Sequence, residues 1–210
     1  MRGAADPARA PGQQAYMKSD MPFLGVAVPD ARRIARAAAR ASHMTDAARL
    51  RDEAFALWDD AEYREERYAA MTLLGVSAAS ADLSVVPLIE HMVRTGRWWD
   101  YTDDLAHRMA ELLDRSPDAA AAVVRRWSTD EDLWMRRISI ISQLGRSDRV
   151  DRELLAAVIA PNIADREFFI RKAIGWALRE VARVDPDWVR AYVAAHELSP
   201  LSRREALKHL

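Results

Sequence analysis

FFIRKAIGWALREVAR, residues 168–183, is the stretch whose periodicity settles the fold class. On a helix turning about 100° per residue, Ile170, Ile174, Ala177, Leu178 and Val181 share one face, and Phe169, Lys172, Trp176, Arg179 and Arg183 lie nearly opposite. The first face is a core stripe. The second sets a large aromatic among three cations. Either Trp176 lies beneath neighbouring helices with long basic side chains across it, or this is a basic surface with an aromatic platform. In the second case the cations neutralise phosphates and the ring offers a π-face to a base, a sugar or a cation.

Working outward, similar helical patterns follow one another with short breaks. They predict helices over 8–18, 30–42, 46–58, 62–74, 81–94, 99–114, 117–127, 130–144, 151–159, 166–183, 187–195 and 200–208. No segment shows sustained alternation of β-branched residues, so no sheet is expected. Pro29 suits a first helical turn, where its missing N–H is no loss. Thr45, Ser80, Ser116, Thr129 and Ser199 stand where N-caps belong, and Thr129 with Asp132 has capping-box spacing. Residues 1–14, rich in Ala, Pro, Gly and Arg, read as a flexible arm, and 15–210 as a single repeat domain.

The helices holding Tyr68 and Met71, Leu105 and Met109, Ile138 and Ile141, and Ala173 and Trp176 look like equivalent units, spaced roughly 35 to 40 residues apart as in helical-repeat proteins. The expected fold is an all-α helical-repeat solenoid, whose stacked pairs leave a concave surface free for a long ligand.

Bulk composition sets the limits. The chain has 210 residues, half of them hydrophobic, with only 7 Gly. It has no Cys, which excludes disulfides, thiolate metal sites and cysteine nucleophiles. His43, His91, His107, His196 and His209 show no ligand spacing with carboxylates, so neither metal nor cofactor is expected. No apolar run approaches the roughly 20 residues that span a bilayer, and the N-terminus lacks a signal peptide's apolar centre. A cytoplasmic monomer is the expectation. Lys and Arg total 31 against 32 Asp and Glu, a net charge of −1. Any nucleic-acid surface must therefore come from local segregation of charge.

Two further segments hold candidate chemistry. In WWDYTDDLAHRMAELL (98–113), Tyr101, Leu105, Met109 and Leu112 form the apolar stripe. Trp99 and Asp103, one turn apart, lie at its edge with small Ala106 and Ala110 behind them. Asp100 and Asp104 point elsewhere, towards solvent. The bland reading of Asp103 is a carboxylate favoured near a helix N-terminus. In the helix near 130–144, Arg137 falls amid an apolar face of Leu133, Trp134, Ile141 and Leu144. A buried guanidinium needs a partner: an acid from an adjacent repeat, or a DNA phosphate, either of which its fork fits.

Five segments in order, AYMKSDMPFLGV (15–26), RWWDYTD (97–103), LWMRRISIISQLG (133–145), FFIRKAIGWALRE (168–180) and LSRREALKHL (201–210), resemble the AlkD-type DNA alkylation repair glycosylases, built from HEAT-like helical repeats. The resemblance implies a DNA glycosylase that excises N3- or N7-alkylated purines from duplex DNA. It makes Asp103 the catalytic carboxylate, Trp99 and Trp176 the aromatics at the lesion and sugar, and Arg137 a phosphate contact. Tyr16 falls near the same groove, and Lys172, Arg179 and Arg183 fit further phosphate contacts. ISIISQ at 138–143 departs from the family's usual Thr-Ala-led continuation. A noncatalytic repeat protein binding damaged or branched DNA, and a protein-interaction scaffold, remain as alternatives.

Overall fold

A computed structural model describes residues 1–76 and 83–210. The described residues are all-helical, with no strand among them. Each predicted helix is present with its ends moved by a few residues. The predicted start at 81 and the cap Ser80 lie outside the described residues. No described helix is long and apolar enough to cross a membrane.

Cap chemistry explains where several ends fall. Ser199 Oγ accepts the Ser202 N–H at 3.1 Å, as expected. Ser116 holds the N-cap position but makes no side-chain bond there. At the other two sites a nearby aspartate displaces the threonine. Asp46, not Thr45, accepts from the N–H groups of Ala48 and Arg49, and Asp132, not Thr129, accepts the Trp134 N–H at 2.7 Å. A carboxylate satisfies the orphan donor and also meets the helix dipole with a full charge.

The chain forms two compact units, Met1–Leu88 and Ile89–Leu210. The first contains α1 (Ala10–Met17), α2 (Val28–Ala41), α3 (Ala47–Asp59) and α4 (Arg64–Leu74), with α2 and α3 both packed on α4. Buried Glu65 clamps the segment before α2, its carboxylate accepting the N–H groups of Leu24, Gly25 and Val26 at 2.9, 2.9 and 3.0 Å. Gly25 has φ +85°, and a Cβ there would collide with the Asp6 carbonyl. Residues 1–14, read from the sequence as an arm, make contacts of their own. The Asp6 N–H donates to the Leu24 carbonyl at 2.8 Å, and Arg2 pairs with Glu62 and Glu66.

After α5 (Val86–Gly96), the second unit continues through α6 (Trp99–Arg115), α7 (Pro117–Trp127), α8 (Leu133–Ile141), α9 (Arg152–Ile159), α10 (Phe168–Ala182), α11 (Pro186–Ala195) and α12 (Pro200–Ala206). The even-numbered helices from α6 onward pack in succession, α6 on α8, α8 on α10 and α10 on α12, with α7, α9 and α11 against them. This is a two-layer helical repeat. Three of the four helices read as equivalent (α6, α8 and α10) hold equivalent places in it, while α4 belongs to the first unit. The predicted stripes are the core: Tyr101, Leu105, Met109 and Leu112 on α6, and Ile170, Ile174, Ala177, Leu178 and Val181 on α10, are all buried.

Candidate active site

Successive packing of α6, α8 and α10 puts Arg137, at the middle of α8, between two neighbours. Its fork grips Asp103 on α6: Nε donates to Oδ1 at 2.8 Å and Nη2 to Oδ2 at 2.9 Å. On the other side Nη1 donates to the Phe169 carbonyl on α10 at 2.6 Å. The guanidinium also lies 5.7 Å from the centroid of the Phe169 ring. The arginine expected to need either an acid or a phosphate thus has its acid, and that acid is the candidate catalytic carboxylate. Only 4% of the Arg137 side chain is exposed. Of the two partners expected for it, the acid is the one present, and it holds the fork in a bidentate pair.

Asp103 keeps 16% of its side chain exposed, so it is recessed without being sealed. Burial is the largest influence on its carboxyl and pushes the pKa above the ordinary range, with the Asp100 charge adding to the rise. Arg137, and to a lesser degree His107, pull it back. A recessed carboxyl with a perturbed pKa and a fixed orientation is a common mark of a reactive group. Trp99 opens α6 one turn before Asp103 and is half-buried. Asp100 and Asp104, expected to be solvated, are also half-buried and have contacts of their own.

A wall of rings stands beside the pair, and sequence reasoning missed most of it. Trp98, Trp134 and Phe169 meet with centroids 4.9 to 6.0 Å apart, and exposed Phe168 packs edge-on against Phe169 at 5.3 Å. The Trp98 indole N–H is buried with no acceptor among the described residues. The cue was present in the doubled WW, where Trp99 drew attention away from Trp98, and in Phe169, which was read only as part of the basic face of its helix.

The basic face of α10 is half-covered. Lys172 and Arg179 both converge on Glu205 of α12, Lys172 Nζ reaching Oε2 at 2.9 Å and Arg179 Nη1 meeting the same oxygen. The two cations hold the Glu205 carboxyl below its usual range. Close helix approach makes this possible: Gly175 lies so near α12 that a Cβ would sit 2.5 Å from Glu205 Cβ. Arg183 is exposed and 3.5 Å from Glu180. Trp176 is half-buried on the same helix. The phosphate contacts expected of Lys172 and Arg179 therefore start from an existing carboxylate partner. Tyr16 belongs to the first unit, where it is 75% exposed on α1.

Helices stacked two layers deep, with an aspartate–arginine pair recessed between three of them, define a class of helical-repeat protein that holds a poised carboxylate near its surface. The chain belongs to the DNA alkylation repair enzyme family, whose model matches residues 1–210. Among solved structures it is similar to a predicted DNA alkylation repair enzyme from Enterococcus faecalis, at 28% identity and TM-score 0.89, over 98% of this chain and 96% of that one. Two proteins of Streptococcus mutans share the fold. AlkD2 has 18% identity and TM-score 0.71 over 95% of this chain and 98% of its own. The protein smu.31 has 19% identity and TM-score 0.69 over 87% and 92%. No curated protein sequence matches the chain.

Proposed function

We propose that the chain is a monofunctional DNA glycosylase that hydrolyses the N-glycosidic bond of N3- or N7-alkylated purines in duplex DNA, in base excision repair. The observation that carries this reading is the Asp103 carboxyl, partly exposed, shifted upward by burial and fixed on both oxygens by Arg137. Alkylation at N3 or N7 leaves the purine cationic, so its bond to C1′ is already weak. As that bond breaks, its electron pair neutralises the purine and positive charge develops on the sugar. The ionised carboxylate stabilises that charge and takes a proton from the water that adds to C1′. The products are a neutral alkylpurine and an abasic deoxyribose.

Trp99 and Trp176 would present π-faces to the cationic sugar, and Tyr16, exposed on the first unit, is a further candidate for DNA contact. Arg137 positions Asp103. Lys172 and Arg183, the more exposed cations of α10, would meet phosphates, with Arg179 steadied through Glu205. No lysine is placed as a Schiff-base nucleophile beside Asp103, so no lyase step is assigned. The working form is a monomer on double-stranded DNA in the cytoplasm, at the nucleoid. Release of 7-methylguanine or 3-methyladenine from methylated duplex DNA, with D103N as control, tests the reading. Failure to release base from any alkylated duplex would overturn it. The engagement of both Asp103 oxygens by Arg137 favours one competitor, a damage-binding protein without chemistry. That competitor predicts selective binding to methylated duplex with no release.

A further inference from the structure

The chain is net −1, yet α2 carries four arginines against a single aspartate, a net charge of +3. Segregation is by face. Ala31, Ala35 and Ala39 are the buried side of α2, and the helical turn groups Arg33, Arg36 and Arg40 within about 60° of one another on a face turned away from it. Arg33 is 69% exposed and pairs with Asp30 at 3.2 Å, itself largely exposed. Arg36 and Arg40, one turn apart, are exposed, and among the described residues neither has an acidic partner. Three small alanines hold this helix down, so nothing about its packing requires the arginines. Lys172, Arg179 and Arg137 of the second unit, by contrast, are all committed to carboxylates.

We propose that Arg36 and Arg40, with Arg33 beside them, form a second anchoring face for double-stranded DNA, one that holds backbone phosphates and reads no base. The occupant follows from charge and spacing. Cations about one helical turn apart, some 5–6 Å along the axis, can each reach a different phosphate of a polyanion that carries a charge every ~1.7 Å of its own axis. Arginine forks bind phosphate oxygens in pairs. The choice of DNA over another polyanion rests on the repair reading above. The role is affinity and residence on undamaged duplex, separate from the chemistry at Asp103.

The test is a salt titration of binding to undamaged duplex DNA by fluorescence anisotropy, comparing the parent with R36Q/R40Q. Each phosphate contact contributes about 0.9 to the slope of log K against log salt, so the double variant should lose about 2 from the slope and about tenfold in affinity at moderate salt. R36K/R40K, which keeps the charges, should retain the parental slope. Single-turnover base release at saturating enzyme should be the same in all three. An unchanged slope in R36Q/R40Q overturns the proposal, and so does loss of slope in R36K/R40K with the helical content intact. If R36Q/R40Q binds duplex like the parent but no longer binds vesicles of anionic lipid that the parent binds, the face belongs to a membrane surface, which also overturns it. The binding measurement needs no turnover. Absence of base release by the parent would therefore sink the glycosylase reading and leave this one standing.

Discussion

Asp103 and Glu205 are both recessed carboxylates held by cations from a neighbouring helix, yet their chemistry is opposite. Asp103 has one arginine, and burial outweighs it, so its carboxyl is harder to ionise than usual. Glu205 has Lys172 and Arg179 on a single oxygen, and together they outweigh burial, so it ionises more readily. The sign of each shift carries a stability consequence. Glu205, with its folded pKa lowered, contributes stability above the ordinary glutamate range, and that is lost as the pH falls through its folded pKa. For Asp103, with its folded pKa raised, the favourable contribution belongs to the protonated form and is lost as the pH rises through the folded pKa. The ionised form proposed for catalysis is the less stable one. A carboxylate that costs the fold is a candidate for chemistry; one that supports the fold is a candidate for structure.

The sharpest way to break this comparison is to neutralise each acid. D103N should reduce base release by about 10²–10⁴-fold, as expected for loss of a positioned acid–base group, and should destabilise by about 3 kcal/mol, because it leaves the buried Arg137 guanidinium without its counter-ion. Full activity in D103N would move the chemistry elsewhere. R137M should destabilise by about 3 kcal/mol, because breaking a recessed pair leaves one member without its counter-ion. The same variant should push the acidic limb of the activity profile to higher pH, since burial and the Asp100 charge are then opposed only by the smaller pull of His107. An unmoved limb would show that Arg137 does not set the ionisation of the reactive group.

On the Glu205 side, G175A should cost about 1–3 kcal/mol in chemical denaturation, because the added methyl meets α12 at overpacked distance. A neutral result there would mean α10 and α12 can part freely. E205Q should cost only about 1–2 kcal/mol, since Lys172 stays partly solvated and screened. Its base release should remain within a few-fold of the parent. A catalytic collapse in E205Q would erase the distinction between the two acids. The parental activity itself should rise with pH through a midpoint above the ordinary aspartate range.

What the sequence revealed and withheld follows from the range of each interaction. Helix faces depend on residues three and four apart, so the stripes of α6 and α10 could be read directly, as could the anomaly of Arg137 on an apolar face. Its partner could not, because Asp103 lies 34 positions away on another helix and no periodicity links them. Glu205 was invisible for the same reason: a wheel drawn for α10 shows its cations but not the seven-residue helix that neutralises them. Capping failed at Thr45 and Thr129 by a narrower margin, where an aspartate close by in sequence was the stronger acceptor. Trp99 and Trp176 could be picked out as aromatics off the core, but the wall built by Trp98, Trp134 and Phe169 depends on three helices arriving together.

Arg137 also bears on how the second unit comes apart. A stacked array with contacts only between adjacent layers can fray from its ends one layer at a time. Here a single guanidinium bonds both to the layer before its own and to the layer after. Lifting α10 away strips an acceptor from the group that orients the Asp103 carboxyl, and sliding α6 does the same from the other side. Amide hydrogens at the centres of α6, α8 and α10 should therefore exchange as one block, and mild heating should silence the enzyme in the same step that opens that block.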